Sequence, residues 1–210
     1  MAKYTKIPEN TFKELQLNAG MLLSNFAPET ATVQDSDIMG ATSGGANFTA
    51  TPSYTDFGDD IDNCPKNMAE LKKLESWDIK IAGTFVSVGK ALASSLIGPA
   101  DVTPGQTKKP DKIVPRNDLK SDDFKDIWWV GDYSDVNTGD SAGFIAIHMM
   151  KTLSTGGFQI QSADKAKGTF AFEYTAHFSM AAQDTVPFEI YILGSTDTQA
   201  LDDKSVAVAD

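Results

Sequence analysis

The chain has 210 residues, 41% of them hydrophobic and 22% charged, which suits one globular domain with a real core. Its net charge of −11 and single arginine, Arg116, argue against a protein that grips nucleic acid, because such a surface repels phosphates. A lone Cys64 excludes an intrachain disulfide, no run approaches the roughly 18 apolar residues of a membrane span, and the first twenty residues lack a secretory pattern, so synthesis in a reducing cytoplasm is expected.

Strand signals dominate the chain. Leu15, Leu17, Ala19, Met21 and Leu23 alternate weakly near the start. Ser43-Gly44-Gly45 reads as a turn, followed by a candidate strand at NFTATPSYT (47–55) and an acidic run at DFGDDIDN (56–63). KNMAELKKLESW (66–77) fits either a short helix or a pinned loop. It leads into a strand in which Trp77, Ile79, Ile81 and Phe85 share one face. GKALASSLIGPADV (89–102) predicts a helix over about 89–98, stopped by Gly98-Pro99. Residues 103–120, rich in Pro and Lys, read as an exposed linker. DIWWVGDY (126–133) and GFIAIHMMK (143–151) predict two strands joined by a hairpin tip, with turn chemistry from Asn137, Gly139 and Gly143. Thr155-Gly156-Gly157 is a turn, GFQIQS (157–162) a candidate strand and SADKAKG (162–168) a polar connection. In FAFEYTAHFSM (170–180), Phe170, Phe172, Tyr174, Ala176, Phe178 and Met180 are expected inside. Glu173, Thr175, His177 and Ser179 are expected on a polar face. PFEIYIL (187–193) closes the strand list, and the polar segment 194–210 reads as a tail or arm. Many strands and one main helix predict a single mainly β domain over 1–193, a β-sandwich or partly closed barrel with a flanking helix.

Catalytic and metal signatures are missing from this pattern. His148 and His177 sit singly inside predicted strands, with no HxxxH or CxxC spacing, and read as sheet-face residues. GTFVSVGKA (83–91) has five residues between its glycine and GK where a phosphate loop needs four, and Ala91 stands where Ser or Thr would hold magnesium. Cys64 has no histidine near it in sequence, so the chain reads as a non-enzyme without cofactor. The loop DYSDVNTGDSAG (132–143) invites a calcium reading. Counting from Asp135, however, Gly139 falls one place early and Ala146 occupies the twelfth position. The acidic run 56–63 misses the spacing as well.

Three stretches together resemble the major tail protein, or tail tube protein, of long-tailed bacteriophages and related prophages. They are ATSGGANFTATPSYTDFGDDIDNCPKNMAELKKLESWDIKIAGTFVSV (41–88), ALASSLIGPADV (91–102) and the strand series from DIWWVGDY to HFSM (126–180). The resemblance spans roughly residues 7–193 and rests on layout rather than on a catalytic signature. It implies two packed antiparallel sheets flanked by a helix, six copies in a ring, and rings stacked into a hollow tube that conducts phage DNA during ejection. It further implies that the chain resides in the virion tail. The partners implied are other copies of itself, tape measure protein, tail chaperone and tail terminator, with DNA passing through unbound and no membrane.

Within that expectation the charge has a purpose, since carboxylates lining a channel repel DNA phosphates. The segments expected to reach a neighbouring subunit or ring are the acidic loop, with Asp56, Asp59, Asp60 and Asp62, and the linker, with Lys108, Lys109 and Lys112. Glu173, Thr175, His177 and Ser179 are candidates for a polar channel or interface face. The rival expectations are the tube of a contractile bacteriocin or secretion apparatus and, from a different class, a carbohydrate-binding β-sandwich that stacks sugars on Trp77, Trp128 and Trp129. A capsid decoration protein is a further one. Trp128 and Trp129 are adjacent, so in a strand they point to opposite faces and cannot share one platform.

Overall fold

The computed structural model describes Thr11 and residues 15–133 and 143–194. Its strands are β1 (Gln16–Leu23), β2 (Thr42–Asp56), β3 (Lys72–Phe85), β4 (Ala100–Thr103), β5 (Lys112–Pro115), β6 (Lys125–Tyr133), β7 (Gly143–Ser154), β8 (Phe170–Thr175) and β9 (Phe188–Leu193). The one α-helix among the described residues, α1, runs Lys90–Ile97. No helix among the described residues is long and apolar enough to cross a membrane.

All strand pairs are antiparallel. Seven strands form one sheet in the order β1-β6-β7-β8-β3-β2, with β9 also on β7, and β4-β5 make a separate ribbon. Strand β7 joins two halves. Its first part pairs with β6 and β9, while Leu153 and Ser154 pair with β8. Leu22, Ile127, Ile147 and Met149 from one half share a core with Ile79, Ile81, Phe85, Phe172 and Tyr174 from the other. The fold is therefore the expected mainly β arrangement of packed antiparallel sheets with one helix, and it does not close into a barrel.

Helix α1 covers one end of this core through Leu92 and Leu96. It stops at Gly98, whose φ of 82° lets its N–H turn back to the carbonyls of Ser94 and Ser95. Two side-chain bonds fix it. Ser95 Oγ lies 3.0 Å from the Tyr174 hydroxyl on β8, and Ser154 Oγ donates to the Leu96 carbonyl at 2.8 Å.

Sheet β1-β6-β7-β9 is covered on both faces. Ile127, Ile147 and Met149 point to the main core, while Trp128, Val130 and Ala146 point outward. The loop after β1 folds back over that outer face, where Phe26 packs edge-on against Trp128 and Phe144. Adjacent Leu22 and Leu23 are both buried for this reason, one in each cluster.

Several elements depart from the sequence reading. In β1 a bulge around Asn18 and Gly20, both at positive φ, shifts the alternation, so Met21 is exposed and Leu22 takes its place inside. Ser43-Gly44-Gly45 is a bulge within β2, not a turn before it. Residues 66–77 contain a 3-10 turn at Ala69–Leu71 and then β3. The linker region 103–120 holds β5, which folds back on β4. Residues 157–162 form no strand. The Thr155 and Gly156 N–H groups both donate to the Glu173 carbonyl, turning the chain away, and only Gln161 bridges to Thr169. The strand expected over 170–180 stops at Thr175, leaving Phe178 and Met180 exposed, the latter at 90%. Alternation in sequence persists past that point because a tight turn at Ser179–Ala182 carries it, not a sheet. Strands β6 and β7 pair up to Tyr133 opposite Gly143, and the expected hairpin tip at 134–142 lies outside the described residues, as do 195–210.

Candidate functional site

The features that project from the core are two arms and the free strand edges. Strand β8 pairs with β3 only from Lys80 to Phe85, so the rest of the β2–β3 hairpin extends beyond it as a two-stranded arm. The arm's tip is held by Asp56, whose carboxylate accepts the backbone N–H groups of Gly58 at 2.9 Å and Asn67 at 3.1 Å. Asp56 is thus an internal clamp, whereas Asp59, Asp60 and Asp62 stand exposed at the tip. Tyr54, Phe57, Ile61, Met68 and Leu74 are exposed on the same arm.

The second arm is the β4–β5 ribbon. Lys108, Lys109 and Lys112 are exposed near its turn. Asp111 folds inward, accepting the Gly105 N–H at 2.8 Å and facing Lys90 at 3.4 Å. That backbone bond, with help from Lys90, holds the Asp111 carboxyl below the usual carboxylate range. Gly105 is required here, because a Cβ would come within 2.1 Å of the Lys109 carbonyl.

The ribbon's root is Arg116, a residue whose role the sequence left unassigned. Its guanidinium meets Asp123 at 2.6 Å, Asp101 at 3.0 Å and Asp118 at 3.8 Å, and its backbone N–H bonds to the Pro99 carbonyl. Asp123 also accepts the Lys120 backbone N–H. That bond and then Arg116 hold its carboxyl below the usual range. A sole arginine in an aspartate-rich chain was the available signal.

The four polar-face candidates do not stay in one row. Glu173 and Thr175 lie on β8, and the Thr155 hydroxyl contacts both, each at 2.9 Å. His177 and Ser179 lie past the strand end, beside an open groove of about 580 Å³ with Phe124, Lys151, Phe178 and Met180. His177 Nδ1 lies 3.1 Å from the Lys151 carbonyl, which only accepts, so that nitrogen carries the proton.

His148 is more than a plain sheet-face residue. It stacks on Trp128 with centroids 4.0 Å apart, and its ring nitrogens face Asp126 Oδ2 at 3.2 Å and Glu189 Oε2 at 3.7 Å. Tyr191 donates its hydroxyl to Glu189, which raises the phenol's pKa. This cross-strand row ties β6, β7 and β9 together on the outer face. Among the described residues no three His, Cys, Asp or Glu side chains gather as a metal site.

The tryptophans form no common platform. Trp128 lies under His148, Trp129 on the opposite face reaches the Ala19 carbonyl, and Trp77 packs on Phe188 with its indole N–H buried and without an acceptor among the described residues. Comparison with known families and with curated proteins gave no match.

Proposed function

We propose that this chain is the self-assembling subunit of a bacteriophage tail tube, joining in rings of six that stack into a hollow conduit for DNA. The observation that carries the reading is the unfinished sheet edge at β9. Among the described residues this strand pairs only with β7, and the face it turns toward the core continues past the packed Phe188 as Ile190 and Ile192. Those two isoleucines are 50% and 57% exposed. An apolar, unpaired edge is a template for another chain's strand. Strand β2, 15 residues long, is likewise paired on one side only among the described residues. Strands of neighbouring copies added at these edges prolong the sheets around a ring and bury the exposed isoleucines.

The net charge of −11 fits a conduit that must not hold its cargo, since carboxylates at the wall repel DNA phosphates at contact distance. The two arms, with Asp59, Asp60, Asp62 on one and Lys108, Lys109, Lys112 on the other, are the segments able to reach adjacent subunits or rings. In this reading the protein resides in the virion tail and meets tape measure protein, tail chaperone and tail terminator. Negative-stain electron microscopy of the concentrated protein tests it. Rings or tubes with a central hole are the expected result, and a strictly monomeric particle at every concentration overturns the reading.

A further inference from the structure

We propose that the tip of the β2–β3 arm docks on the β4–β5 ribbon of a second copy of this chain. The inference rests on the self-assembly reading above and names the partner surface for each arm.

The arm tip is an apolar patch with an acidic rim. Phe57, Ile61 and Tyr54 are each more than half exposed, out where β8 no longer flanks the hairpin. The carboxylates of Asp59, Asp60 and Asp62 make no hydrogen bond or ion pair with the described residues. Lys66 is exposed in the same tip, while Lys72 on the stem is engaged by Asn67 and lies over the Tyr54 ring. The ribbon is the complementary surface. The ammonium groups of Lys108, Lys109 and Lys112 have no partner among the described residues, and Val114 is exposed on the same ribbon face as Lys112.

Each arm spends one aspartate on its own backbone, Asp56 in the first and Asp111 in the second. Asn63, Asn67 and Lys108 are held at left-handed φ in the two tips. Both surfaces are therefore shaped before they meet, which lowers the entropic cost of docking. Opposite charges on shaped surfaces steer the encounter and fix its register. Within the tube reading the contact is heterologous and propagates from copy to copy.

Charge exchange tests the pairing. One variant carries Asp59→Lys, Asp60→Lys and Asp62→Lys, a second carries Lys108→Glu, Lys109→Glu and Lys112→Glu, and a control carries Lys165→Glu and Lys167→Glu on another exposed loop. Sedimentation velocity over a concentration series reads assembly, with circular dichroism to verify each fold. Each arm variant alone should need about tenfold more protein to assemble. An equimolar mixture of the two should assemble like the wild type, since every contact then pairs opposite charges, while the control stays near the wild type. Wild-type assembly with arm variants that behave normally, or whose mixture fails to recover, overturns the docking and leaves the tube reading standing. A control as impaired as the arm variants also overturns it. A wild type that never assembles overturns both.

Discussion

Replacing Tyr174 by phenylalanine tests how α1 is held on the core, and its effect can be worked out across pH. The Tyr174 ring is 1% exposed and its hydroxyl lies 3.0 Å from Ser95 Oγ. Burial pushes the phenol up to about 12, against a smaller downward pull from the Ser95 hydrogen bond. The folded chain thus holds this proton more tightly than the unfolded chain, whose phenol titrates near 10. The resulting stabilisation is complete below about pH 10 and is lost as pH rises from there toward about 12. A shift of about two units corresponds to roughly 2.7 kcal/mol in total, of which about 1.4 kcal/mol is gone by about pH 11.

The phenylalanine variant loses the hydroxyl pair, at a cost of about 1 kcal/mol near neutral pH, and has no phenol to ionise. Its stability curve should therefore cross that of the wild type near about pH 11. Urea midpoints for both proteins at a series of pH values measure this, and the difference between them cancels the other tyrosines and the lysines. A difference that stays constant from neutral pH to about pH 12 would refute the reasoning, because it would mean that the phenolate is as well solvated in the folded chain as outside it.

Two residues on one alternating stretch should behave differently. Phe172→Ala should cost about 3–5 kcal/mol in urea unfolding, while Met180→Ser should change stability by less than about 0.5 kcal/mol. Gly20→Ala should destabilise by about 1–3 kcal/mol, since the residue sits at φ +67° and a Cβ would meet the Trp129 ring at 2.6 Å. The depressed carboxyl of Asp123 contributes stability that is present above about pH 4 and lost as pH falls through its lower folded value. Asp123→Asn should flatten that acid limb in thermal melts, and an unchanged limb would remove the Arg116 cluster as its cause.

How much of this was legible depended on whether the chain's pattern had one cause. The Trp77–Phe85 strand and the helix before Gly98 read correctly because burial on one side set the alternation and a left-handed glycine set the stop. Strand β1 misled because its bulge reverses the phase while the letters keep alternating, and because both faces of its sheet are covered. Phe178 and Met180 misled in the other direction, as alternation continues where no partner strand exists. The cross-strand row of Asp126, His148 and Glu189 joins residues up to 63 positions apart by register alone, and no local spacing announces it. Asp56 and Asp111 look like their acidic neighbours in sequence. Only the backbone N–H groups they accept separate the clamps from the free charges.

That separation bears on where this molecule is able to associate. Much of the inner face of its sheets is filled by the core, and Phe26 and the stacked His148–Trp128 pair cover part of the outer face of β1-β6-β7-β9. Among the described residues, open strand sides remain on β1, β2 and β9, and exposed apolar side chains stand on β9 and on the two arms. A contact built at a rim extends a sheet or crosses to a neighbour, whereas a contact built on a face would stack sheets and end there. Under the tube proposal the division is useful. Edges can close the ring and oppositely charged arms can join copies across it, while the remaining negative charge stays free to repel what passes through.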